Sequence, residues 1–206
     1  MIPAKDGLQL LREGNARFVA GTTTRPPLLT HAERAKAAKV QRPFAIVLGC
    51  SDSRVPAELV FDRGLGDLFV IRVAGNIVAP SQVGSVEFAA ERFGTRLVVV
   101  MGHTQCGAIS ATLEALESPD PNASKNILSI VDRVRPSVVS LLNAKPRLAP
   151  EALAEEAVRA NIRVSADHLR HGSAVLEQLI REKGLVVVGA EYSLETGVVD
   201  FFDGAP

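Results

Sequence analysis

Two short apolar runs that break off into reactive side chains constrain this chain more than anything else in it. Ile46-Val47-Leu48-Gly49 leads straight into Cys50-Ser51-Asp52-Ser53-Arg54, and Val99-Val100-Met101-Gly102 into His103-Thr104-Gln105-Cys106. Runs this dense in branched residues have no polar side, so they read as strands buried on both faces, as parallel strands are. Phe44 to Leu48, Leu68 to Ile71, Leu97 to Met101 and Leu185 to Val188 make four such strands. Elsewhere the spacing turns helical: Val83, Val86, Ala90 and Phe93 recur at threes and fours, and Gly94 stands where a helix-ending glycine stands. Strand and helix in alternation predict an α/β fold, a central and mostly parallel sheet of four strands flanked by helices. Val198 to Phe202, after the turn Glu195-Thr196-Gly197, adds a C-terminal edge strand expected to run antiparallel.

The helical pattern continues from Ala108 to Lys183, with breaks expected at Ser118 to Asn122 and around Lys145 to Pro150. Ile127, Ile130, Val131 and Val134 mark one apolar face, and Leu153, Ala157, Asn161 and Val164 another, both read as core or subunit packing. Leu8, Leu11 and Phe18 predict an amphipathic helix ending near Gly21, followed by a Thr- and Pro-containing arm to about Pro27. Residues 1–35 are thus expected to form an N-terminal helix and arm that packs on a partner subunit, within a single domain spanning residues 1–206. A chain of this length buries roughly 70 % of its unfolded surface, so a metal is not needed merely to hold the fold.

Composition removes several functions. The 23 basic and 23 acidic side chains cancel, and no dense Lys/Arg block with interleaved aromatics occurs, so nucleic acid is not an expected partner. The longest apolar runs fall far short of the ~18 residues a membrane-spanning helix needs, which predicts a soluble protein with no membrane partner. The N-terminal residues mix charges among apolar positions, so no secretory leader is expected and the setting reads as cytoplasmic. Two cysteines in such a chain point to metal binding or catalysis rather than a disulfide framework.

In open α/β sheets ligands bind in the crevice beyond the carboxyl ends of the strands, where both reactive tips should meet. Gly49 and Gly102 read as leaving room there for a close approach of backbone and ligand. Cys50, His103 and Cys106 then offer two thiolates and an imidazole, a donor set suited to Zn²⁺, and three protein ligands leave a fourth position open, as in catalytic zinc sites. The competing readings are two buried core thiols with a satisfied histidine, or a Cys50–Cys106 redox pair, which lacks the CxxC spacing. Asp52 reaches the same cavity and Arg54 can keep it ionised and oriented; a solvated ion pair or a helix cap is the alternative.

Cys50-Ser51-Asp52-Ser53-Arg54 followed by His103-Thr104-Gln105-Cys106-Gly107 resembles the paired CxDSR and HxxC motifs of the β-class carbonic anhydrases. The likeness continues through Gly66 to Arg72, Ala74-Gly75-Asn76 and Gly189 to Gly197. The resemblance implies reversible hydration of carbon dioxide to bicarbonate by a zinc-bound hydroxide. It makes Cys50, His103 and Cys106 the metal ligands, Asp52 and Arg54 the catalytic dyad, and Asp52 a possible fourth ligand in a closed state. It also implies that the Gly107 backbone lies against substrate, that Phe69 forms an apolar wall, and that Gln41 donates to substrate across a subunit boundary, as in the plant-like subclass. An obligate homodimer, or a tetramer built from it, follows from that last role. Relatives with the same ligands act on carbon disulfide or carbonyl sulfide, which keeps such a hydrolase as an alternative beside a noncatalytic zinc or bicarbonate sensor. Members with a regulatory bicarbonate pocket carry Trp where this chain has Val47, so Arg72 reads as a structural residue and Tyr192 as a packing one.

Overall fold

The computed structural model describes residues 2–24, 30–38 and 40–205. Five strands, β1 (Ala45–Gly49), β2 (Leu68–Arg72), β3 (Leu97–His103), β4 (Val186–Tyr192) and β5 (Val199–Asp203), form one sheet in the order β2-β1-β3-β4-β5. The first four are parallel and β5 pairs antiparallel with β4. Around them lie α1 (Ala4–Val19), α2 (His31–Ala37), α3 (Ala57–Val60), α4 (Pro80–Arg92), α5 (Gly107–Glu117), α6 (Lys125–Leu142), α7 (Pro150–His171) and α8 (Ala174–Lys183).

The strand alternation sorts the core into two layers. Ile46, Leu48, Val98 and Val100 face α4 to α8, meeting Val86, Ile109, Val134, Ile162 and Leu176. Ala45, Val47, Val99 and Met101 face the other way, against Leu8 and Leu11 of α1 and Val60 and Phe61. Every residue of β1 and β3 is buried, as expected of parallel strands covered on both sides. Leu8 and Leu11 of the α1 stripe pack in the core of their own chain; residues 25–29 of the arm lie outside the described residues.

Local signals behave as their chemistry requires. Pro80 and Pro150 open α4 and α7, where a missing N–H costs nothing, and Gly94 follows α4 with φ +65°. Three expectations need correction. β3 and β4 run on to His103 and Tyr192, because Gly102 and His103 keep pairing with Glu191 and Tyr192. The helical stretch has a further break at Gly172 and Ser173, where the Ser173 hydroxyl accepts from Leu176 N and starts α8. The room at Gly102 takes no ligand: a Cβ there would meet Ile162 at 2.7 Å, so the missing side chain lets α7 settle on β3.

Candidate metal centre

Cys50 directly follows β1, His103 is the last residue of β3, and Cys106 is the cap of α5. Since β1 and β3 are neighbours, with Gly49 beside Met101, the three side chains converge. Their donor atoms all lie within 4.8 Å of one another, and all three residues are buried. His103 Nδ1 sits 2.9 Å from the Thr104 carbonyl. A carbonyl only accepts, so Nδ1 carries the proton and Nε2 presents its lone pair to the sulfurs. That Nε2 is buried without a hydrogen-bond partner among the described residues. An unpaired buried acceptor is costly, and a cation between it and two thiolates removes the cost. The donor set thus fits a soft, tetrahedral ion such as Zn²⁺, with bonds of about 2.0–2.3 Å.

The surroundings favour negative charge on sulfur. Asp52 N and Gly75 N each lie 3.4 Å from Cys50 Sγ and donate to it. Cys106 sits at the positive end of α5. In the metal-free chain the Cys106 thiol donates to Cys50, which holds Cys50 far below the ordinary thiol range and pushes Cys106 up, so the pair retains one proton. A metal displaces it.

Asp52 is clamped. Arg54 donates from Nε to Oδ1 at 2.9 Å and from Nη2 to Oδ2 at 2.8 Å, and the Arg54 amide adds a bond to Oδ1 at 2.9 Å. Oδ2 stands 3.8 Å from His103 Nε2, beside the ligand cluster. Arg72 donates to the carbonyls of Cys50 and Asp52 and so is a backbone-bonding residue. Val47 is fully buried and Tyr192 packs in the same layer.

The remaining site residues divide. Gly107 opens α5 beside Cys106, exposed, with nothing within 4 Å of where a Cβ would stand; its first-turn amide has no partner inside the helix. Gln41 and Phe69 are not brought to the ligands of their own chain. Gln41 lies beyond the amino end of β1, next to Gly66, and Phe69 pairs with Ile46 and packs on Phe88 and Phe93. The rise of β1 alone separates either from Cys50 by about 13 Å.

Sequence reasoning missed the braces. Gln105, between two ligands, takes φ 55°, a strained conformation for a residue with a side chain. It is held by Thr104 N on the Tyr192 carbonyl at 3.0 Å, by Leu194 N on Thr104 Oγ1 at 3.0 Å, and by Gln105 Nε2 near Glu195 at 3.4 Å. Their only signal in the sequence was the lone polar Thr104-Gln105 pair between the two ligands.

Residues 45–199 match the family model described as carbonic anhydrase. The fold also matches the β-carbonic anhydrase CafA of Aspergillus fumigatus with a TM-score of 0.75 at 26 % identity, over 85 % of this chain and 83 % of that one. The chain belongs to the β-class carbonic anhydrases. A carbonic anhydrase of Mycolicibacterium smegmatis is 39 % identical over 190 residues, 92 % of this chain and 89 % of that protein. One of two tetrameric β-carbonic anhydrases of Sordaria macrospora shares the fold at 19 % identity and a TM-score of 0.74, over 96 % and 97 % of the two chains. This β-class chain thus carries its family's motifs on its family's sheet.

Proposed function

We propose that the chain catalyses the reversible hydration of carbon dioxide to bicarbonate and a proton, with zinc held by Cys50, His103 and Cys106. The observation that carries this is Asp52, fixed by three hydrogen bonds from Arg54 with Oδ2 3.8 Å from an unpartnered histidine nitrogen. Zinc in this position supplies Lewis acidity and lowers the pKa of a water. Asp52, kept ionised by Arg54, would accept a hydrogen bond from a water at the site and orient that water's lone pair toward the substrate carbon. The Gly107 amide and Gln41 donate to the substrate oxygens, and Phe69 supplies an apolar wall. For Asp52 to become a fourth ligand it must first break its bonds to Arg54.

Gln41 and Phe69 lie too far from their own ligands to serve them, which supports a homodimer in which each chain completes its partner's site, and tetramers built from such pairs. Two thiols kept for a metal suit a reducing interior and support a cytoplasmic setting. Action on carbon disulfide or carbonyl sulfide draws no support from relatives that carry the name carbonic anhydrase, and a noncatalytic sensor leaves the Asp52–Arg54 clamp without a task.

Stopped-flow hydration of carbon dioxide at alkaline pH, with zinc content measured on the same sample, tests this reading. Fast hydration with one zinc per chain, lost in Asp52→Ala at unchanged zinc content, is expected; zinc without hydration overturns it.

A further inference from the structure

Asn161 stands in the apolar face of α7 at 1 % exposure, where a polar side chain needs a reason. Its Nδ2 donates to the Gly75 carbonyl at 2.7 Å. Gly75 in turn donates its own N–H to Cys50 Sγ at 3.4 Å. Asn161 is therefore one residue removed from a metal ligand.

Gly75 sits in the short turn Ala74–Asn76 with φ 70° and ψ 20°. The N–H and the carbonyl of one residue belong to two peptide planes joined by that residue's own torsions, and in glycine those torsions are loosely set. The turn is tied near its start: Val73 N bonds Gly49 O at 3.1 Å and Ser51 N bonds Val73 O at 3.3 Å. A third bond, from Asn76 N to Val73 O at 3.1 Å, closes the turn around Gly75 and holds one side of the Gly75–Asn76 peptide plane; the carbonyl on its other side is held by Asn161. A stiffer residue cannot replace the glycine, because of its positive φ and because a Cβ would come within 3.2 Å of Ala108 Cβ. Holding the carbonyl from behind fixes where the N–H points.

We infer that Asn161 is a positioning residue for the metal centre: by holding the Gly75 carbonyl it aims the Gly75 N–H at the Cys50 sulfur, and so sets how much charge that thiolate gives to a bound zinc. The inference rests on Cys50 being a ligand, as proposed above. A hydrogen bond to a ligating sulfur draws electron density from it and tunes the metal. An asparagine that merely satisfied a buried carbonyl would affect stability and nothing at the metal.

The test uses the full chain loaded with cobalt or ¹¹³cadmium. In the wild type the Gly75 amide proton is expected to show scalar coupling to cadmium across the N–H···S bond. In Asn161→Leu that coupling disappears while the one from the Asp52 amide persists, the sulfur-to-cobalt charge-transfer band moves to lower energy, and release of metal to a chelator speeds up by about tenfold or more. Thr95→Val is the matched control, since it removes another buried bond to a carbonyl, 2.7 Å from Thr95 Oγ1 to Pro43 O, before the amino end of β3 and away from Gly75; its band and coupling should match the wild type. If Asn161→Leu does not fold, Asn161→Ser, which keeps a donor but shortens its reach, is read the same way. A wild type without the Gly75 coupling, or a folded Asn161 variant that keeps both the coupling and the band, overturns the role. None of these readouts needs carbon dioxide, so a chain that hydrates none would refute the proposed function and leave this role to the metal spectra.

Discussion

Arg72 donates through Nε to the main-chain carbonyl of Cys50 at 3.0 Å, tying the end of β2 to the first metal ligand. Its Nη2 reaches the Asp52 carbonyl on the far side of the same turn. One guanidinium thus spans the segment that carries both a ligand and the proposed orienting carboxylate. Arg72 is exposed, so solvent screens these bonds and their worth to stability is modest, about 1 kcal/mol. The effect on the site should be larger. In Arg72→Ala we expect a small drop in Tm, faster zinc loss to chelator and a clear fall in kcat; unchanged kcat and zinc retention would show that the turn holds itself.

The pH profile follows from two opposed charges. Hydrogen bonds from Arg54 hold the Asp52 carboxyl well below the usual carboxylate range, against the raising effect of burial. Its folded value lies under the unfolded one, so the pairing favours the folded chain fully above about pH 4 and is lost as pH falls through the lower, folded value. Asp52 therefore stays ionised throughout the working range and does not shape the profile. Two thiolates cancel the formal charge of Zn²⁺, so its water is acidified less than by a zinc held on three histidines. We expect kcat/KM to rise from mildly acidic to alkaline pH. A flat profile would sink the argument.

Metal removal should expose the cysteines. The chain has two cysteines, both buried at the centre. In the zinc-loaded protein a thiol reagent should modify neither under native conditions; after chelation, when the sulfurs are no longer held as ligands, modification should speed up. Melting should shift as well: free zinc at a hundredfold its Kd stabilises the fold by about 2.7 kcal/mol. Rapid modification of the loaded protein would mean that the sulfurs are not ligands.

Mixing subunits tests whether Gln41 acts across the boundary. Gln41→Ala and Asp52→Ala chains, refolded together, form heterodimers with one site carrying both defects and one carrying neither. Random assortment restores about a quarter of the sites. Activity above the mean of the two separate variants is expected. An activity equal to that mean places Gln41 at its own chain's metal.

The sheet was legible because β1 and β3 are apolar on both faces and end abruptly in soft donors. The ligands were legible for the same reason: two thiols and an imidazole at neighbouring strand tips have few other uses. Asn161 was read as part of a packing stripe, and its spacing does fit one; its partner Gly75 is 86 residues away, a distance no periodicity reports. Gly102 was read as room for a ligand because a missing side chain looks the same whether a substrate or Ile162 fills the space. Gln41 gives no sign in its own neighbourhood of any role at the metal. Only the family likeness points to one, since the residue lies at the opposite end of the strands from the ligands.

The pairing of His103 with Tyr192 also governs the order in which the site is made. The ligands Cys50, His103 and Cys106 leave the ribosome well before Val186 to Tyr192, yet β3 keeps a bare edge until β4 arrives to pair with it. Until then Thr104 has no Tyr192 carbonyl to hold it. A growing chain thus carries its whole donor set on an unfinished sheet, open to the wrong metal, to oxidation, or to another strand. The bracing of the donor set therefore waits for β4.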